Sequence, residues 1–141
     1  MTHTLRVHEV VRWTELNEYE GVIHGELDGV PVTCYVLVPT TEWDSYRPGT
    51  AVEVDAWVER TGDVDTLPPG SQAALTQVDG AVYEVAGIIT RQDDEQFQVD
   101  STLPVRIDLD LPARWQPPQL RIGDVIRVRG ILKIDLPDGP A

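Results

Sequence analysis

The chain has one cysteine, one methionine, one phenylalanine and few basic residues. A single cysteine, Cys34, excludes an internal disulfide. It lies on the Val32–Cys34–Val36–Val38 face of a predicted strand, which makes it a small core residue rather than a reactive thiol. No apolar run approaches the ~20 residues of a membrane-spanning helix, and no basic-then-apolar leader opens the sequence. The expected setting is reducing, soluble and cytoplasmic. Lys and Arg number 11 against 24 Asp and Glu, a formal net charge of −13 over 141 residues. That balance disfavours generic attachment to nucleic acid or anionic membrane, because the phosphate attraction in such binding comes from Lys and Arg. The charge is uneven. Residues 1–79 carry 4 basic and 14 acidic side chains, whereas residues 80–141 carry 7 and 10.

What is present is strand pattern. Hydrophobic content of 41% and charged content of 25% suit a folded domain, and a chain this long buries roughly 68–70% of its unfolded surface. Leu120–Ile134 (LRIGDVIRVRGILKI) opens on a Gly-Asp turn and then alternates. Ile126, Val128 and Leu132 share one face; Arg127, Arg129 and Lys133 share the other. A near copy stands 74 residues earlier in Arg47–Glu59, RPGTAVEVDAWVE. Its apolar face is kept, while Glu53, Asp55 and Glu59 stand where Arg127, Arg129 and Lys133 stand. Opposite charges across a strand pair favour pairing, so one reading of the swap is that these two strands lie together, within one chain or between copies; the other is that both faces are solvated and the pattern is drift.

The remaining segments read as short strands. Leu5–Trp13 opens the series, and Asp28-Gly29 joins Glu20–Leu27 to Val30–Val38 as a hairpin. Thr40–Tyr46 suggests one helical turn, and Val82–Arg91, Gln96–Asp100 and Leu103–Leu111 complete the strands, with a tight acidic turn at Asp93–Glu95. Pro31 and Pro39 bracket one strand as Pro104 and Pro112 bracket another. Residues 61–80 break the pattern with Gly62, Pro68, Pro69, Gly70 and Gly80; they read as a linker in which only Ser71–Gln77 suggests a helix. The expectation is an all-β protein of two related halves with little helix: an acidic half over residues 1–60, the linker 61–80, a second half over 81–136, and a tail 137–141.

VAGIITR (Val85–Arg91) and IGDVIRVRG (Ile122–Gly130) give residues 82–134 an order that resembles the OB-fold, the small Greek-key barrel of oligonucleotide and oligosaccharide binding. The resemblance covers roughly 50 residues well and residues 19–59 more weakly, where Ala56 replaces the closing Gly. It implies a binding module that uses the face of its second and third strands. There the segment Gln96–Leu111 offers Phe97 and Arg106 beside Asp100, Asp108 and Asp110, a poor match to the basic, aromatic groove that single strands need.

Catalytic chemistry is not evident. His3, His8 and His24 have no ligand-like spacing, and His24 and Glu26 on one strand face read as cross-strand pairing groups. The clusters Asp63/Asp65, Asp93–Glu95 and Asp108/Asp110 lack an EF-hand register. No metal, cofactor or enzyme activity is expected. Trp13, Trp43 and Trp115 adjoin turns and read as seals of a barrel end, whereas Trp57 sits between Asp55 and Glu59 on an outward face. The leading expectation is a non-enzymatic, acidic protein-interaction or assembly module with Trp57, Glu53, Asp55, Arg127, Arg129 and Lys133 as partner-binding residues. A second is a single-stranded nucleic-acid binder using Phe97, Arg106, Arg121, Arg127, Arg129 and Lys133. A third is an acidic nucleic-acid mimic.

Overall fold

In the computed structural model, residues 2–13, 19–37, 40–93, 96–109 and 120–137 are described. Every extended stretch in them is a β-strand, and among the described residues there is no α-helix. The strands are β1 (Thr2–Arg12), β2 (Glu20–Leu27), β3 (Val30–Leu37), β4 (Ala51–Leu67), β5 (Ala74–Asp79), β6 (Val82–Gln92), β7 (Gln96–Asp100), β8 (Pro104–Asp108) and β9 (Val125–Asp135). A single 3-10 turn, Thr40–Ser45, joins β3 to β4. No helix among the described residues is long and apolar enough to cross a membrane.

The chain divides into two compact units. One comprises Met1–Ala56 with Leu132–Ala141; the other comprises Trp57–Ile131. This differs from the expected division into residues 1–60 and 81–136, because β4 and β9 each contribute to both units.

In the first unit, β4 pairs with β1, β1 with β2 and β2 with β3, all antiparallel. The end of β9 then joins β3 in parallel, Tyr35 opposite Lys133 and Val36 opposite Ile134. Alternation drives this assembly. Leu5 and Val7 of β1, Ile23 and Leu27 of β2, and Cys34 and Val36 of β3 are all sealed from solvent; along β1 the alternate residues Thr4, Arg6 and His8 are exposed, whereas in β3 Thr33 beside Cys34 is buried too. The hairpin turns on Asp28, whose φ of 48° is a left-handed conformation that Asp tolerates better than most side chains. Trp43 and Tyr46 pack edge to face beneath the 3-10 turn, with Trp43 6% exposed. Trp115 lies outside the described residues.

In the second unit, β6 is the hub. Val82–Ile88 pairs with β9, Ile88–Gln92 pairs with β7, and β5 covers Val82–Ala86. β7 continues to β8, and β8 runs parallel to β4 through Trp57–Arg106, Val58–Ile107 and Glu59–Asp108. β4 and β9 are hydrogen-bonded neighbours, so β6, β7, β8, β4 and β9 follow one another back to β6. Val58, Val85, Phe97, Ile107, Ile126 and Val128 fill the interior.

Of the expected linker 61–80, only residues 68–73 and Gly80 lie outside strands. Residues 61–67 extend β4, with Val64 buried and its neighbours Asp63 and Asp65 exposed. Ser71–Gln77 forms no helix; Ala74–Asp79 is drawn into strand β5 by pairing with β6, whose first half the five-residue β7 is too short to reach. β5 and β6 form a hairpin closed at Gly80-Ala81, with Asp79 opposite Val82, and the strand depends on that pairing rather than on its own composition. Of the expected acidic turn only Asp93 is described: its N–H donates to the Gln96 carbonyl and its carboxylate accepts from Gln96 N–H. Residues 94–95, 110–119 and the end of the tail lie outside the described residues.

Candidate functional site

Alternation along β9 sends Ile126 and Val128 inward and leaves Arg127 and Arg129 on the surface. On the adjoining stretch of β4, Gly62 has no side chain to fill the space between strands. The result is a cleft of about 340 Å³ lined by Gly62, Asp63, Asp65, Glu84, Arg127, Val128 and Arg129. Arg129 Nη2 lies 3.6 Å from Glu84 Oε2, its direct cross-strand partner on β6. Arg127 Nη2 lies 3.4 Å from Asp65 Oδ2. All four side chains are about one-third to one-half exposed, so each pair contributes at most about 1 kcal/mol. Their effect is orientation: both guanidiniums are held along the cleft by carboxylates, with Asp63 adding a further negative charge.

This revises the expected charge matches. β4 and β9 do lie side by side, but Arg127 and Arg129 meet Asp65 and Glu84 rather than Glu53 and Asp55. The reason is register. Thr61 Oγ1 donates a long 3.5 Å hydrogen bond to the Arg129 carbonyl, which puts Arg127 near the far end of β4. Glu53 and Asp55 instead lie opposite Thr4 and Thr2 of β1. Lys133 sits over the Tyr35 ring at 5.3 Å, and Tyr35 in turn packs at 5.7 Å against Trp13.

Trp57 is half-buried on the outer side of β4, and its close companion is a cation. The Arg106 guanidinium lies 5.3 Å from the indole centroid, directly across the parallel rung, a contact of about 0.5–1 kcal/mol at such sites. Phe97, expected as a base-stacking residue, is 2% exposed and belongs to the core. Its side of β7 is the inward one, as the neighbouring Gln96 and Gln98 show by facing out. Arg121 is exposed in the turn before β9, where its N–H donates to the Asp124 carboxylate at 2.9 Å.

The histidines all lie in the first unit; His8 and His24 bond across strands and His3 bonds to the hairpin turn. His3 Nδ1 is 2.6 Å from Asp28 Oδ2, His8 Nε2 is 2.8 Å from Glu26 Oε2, and His24 Nδ1 is 2.9 Å from Thr33 Oγ1. His24 and Glu26 therefore pair with different neighbours. Partial burial of Asp28 works to raise its pKa, but the Thr4 N–H bond and His3 outweigh it and hold the carboxyl below the usual range. Burial pushes the Cys34 thiol far up, which suits a packing role. Among the described residues, no group of three or more His, Cys, Asp or Glu is placed to hold a metal ion.

Three contributors escaped the sequence reading. Asp65 and Glu84 become visible only once β4 is known to continue through Gly62 and β6 to pair with β9. Arg60 was not singled out; its Nε donates to the Leu109 carbonyl at 2.8 Å and its Nη1 to the Gly62 carbonyl at 2.7 Å. It ties the end of β8 to the bend beside the cleft. Comparison with protein-family models, curated proteins and solved structures found no match to this chain.

Proposed function

We propose that the protein is a non-enzymatic binding module, built as two small OB-like barrels, that engages a protein partner through the outer surface of its second unit. The barrel reading is supported by strand connectivity. In each unit five strands follow one another in hydrogen bonding with one parallel rung, β3 to β9 in the first and β8 to β4 in the second. That is the economy of a small five-stranded Greek-key barrel. β1 to β4 of the first half correspond in order to β6 to β9 of the second.

The observation that carries the protein-partner reading is the cleft, where Arg127 and Arg129 are already engaged by Asp65 and Glu84. A phosphate backbone would have to displace these carboxylates against a net charge of −13. A protein surface carrying both signs can satisfy arginines and carboxylates together. Trp57 under Arg106 adds a broad, rigid contact of the kind enriched at interface centres.

A capture experiment tests this. Immobilised protein is expected to retain a defined partner from the source cell, with retention lost in Arg127→Glu/Arg129→Glu and the thermal melt unchanged. Fluorescence anisotropy with random single-stranded DNA is expected to show no binding at physiological salt. Salt-sensitive DNA binding that the same double variant abolishes would replace the protein partner with nucleic acid.

A further inference from the structure

The two compact units do not coincide with the two halves of the sequence. The first half supplies β1, β2, β3 and Ala51–Ala56 of β4 to the first unit, but Trp57–Leu67 of β4 belongs to the second. The second half supplies β5 to β8 and Val125–Ile131 of β9 to the second unit, but Leu132–Asp135 of β9 belongs to the first. Each half thus gives the other a strand, and the gift is internal. Val58 and Val64 from the first half are 0% and 7% exposed within the second unit; Leu132 and Ile134 from the second half are 0% and 2% exposed within the first. Both donated strands also complete the parallel rung of the unit that receives them.

The link between the halves contributes little by contrast. Pro68, Pro69, Gly70, Gln72 and Ala73 are exposed, and Gly70 turns with a φ of 84°. Its hydrogen bonds at Ser71 return to Pro68 and are local.

From this we infer that the fold is a self-complementing pair of chain halves held by reciprocal strand exchange, and that continuity of the backbone through residues 68–73 is dispensable once it has formed. Neither half contains a complete unit, so neither keeps its native packing alone. Linkage supplies effective concentration during assembly; the exchanged strands hold the product.

The test uses the full chain with a protease recognition sequence inserted between Pro69 and Gly70. Uncut, it is expected to melt as the parent does. After cutting, the two fragments are expected to co-elute with a native near-ultraviolet spectrum, to part only in denaturant, and to regain that spectrum when mixed but not singly. Fragments that separate under native conditions, or a single fragment that regains native packing alone, would overturn the inference. A second measurement needs no variant. In native-state hydrogen exchange of the intact chain, amides at the rungs Trp57–Glu59 and Lys133–Ile134 should open only with global unfolding. Opening there at lower denaturant than in the β1–β2 and β6–β7 pairs would equally overturn it.

Discussion

Replacing Gly130 with alanine should destabilise the protein through a collision with backbone rather than through lost flexibility. Gly130 lies mid-strand in β9, on the inward face between Val128 and Leu132. A Cβ built there would stand 2.3 Å from the Glu59 carbonyl oxygen and 2.6 Å from Val58 Cγ1 of β4. A flexible side-chain end could swing aside, but the Glu59 carbonyl sits on a strand whose next rung is shared with β8. Overpacking of this kind costs about 1–3 kcal/mol. Alanine returns about 0.4–1 kcal/mol by restricting the unfolded chain. The net expectation is a loss of roughly 1–2 kcal/mol, read as a lower denaturant midpoint and a Tm drop of about 3–8 °C. Gly62→Ala is the matched control. It lies on β4 with nothing within 4 Å of a built Cβ, so it should be neutral or slightly stabilising. A Gly130→Ala protein as stable as its parent, with an unchanged denaturant slope, would refute the close approach of β4 and β9 on which the cleft and the strand exchange both depend.

Val54→Ala and Val128→Ala, each removing two methyl groups from positions no more than 1% exposed, should each cost roughly 1–3 kcal/mol in urea melts; an unchanged midpoint would put that strand out of phase by one residue. Cys34 should resist alkylation in the native protein and react fully in denaturant, because its thiol is buried and its ionisation suppressed; fast native labelling would contradict the packing around it. Asp28 has a folded pKa below its ordinary 3.8, so its contribution is complete above about pH 5 and is lost as pH falls through the lowered value. Asp28→Asn should therefore flatten the acid limb of the stability curve below pH 5, and superimposable curves for the two proteins would show that the His3 and Thr4 contacts carry no linkage.

The strands were legible in sequence wherever one face is buried and the other wet. Glu20–Leu27 and Gln96–Asp100 fall where alternation and the Asp-Gly turn put them, since each buries every second side chain. The hidden parts depend on strand pairing rather than on their own burial pattern. Beyond Glu59, β4 carries Gly62 and two aspartates, and its single buried aliphatic, Val64, cannot declare a strand by itself. β5 has no buried side chain of its own and exists as a strand because β6 offers an uncovered edge. The site shows the same division. That Arg127 and Arg129 face solvent follows from alternation, whereas their carboxylate partners follow from a register that no local pattern encodes. Alternation with Gln96 and Gln98 already turns Phe97 inward with Val99; its place as a stacking residue came from the binding face that the OB-fold resemblance implies.

The paired arginines also separate approach from arrival. Each guanidinium stands 3.4–3.6 Å from a carboxylate, so a partner entering the roughly 8 Å over which charge is felt at physiological ionic strength meets the remaining acids of the surface rather than the arginines. Only at contact are Arg127 and Arg129 felt as donors. Encounter rate and residence time therefore answer to different residues: added salt or removal of outlying acids changes how fast a cationic surface arrives, while loss of either arginine changes how long any surface stays.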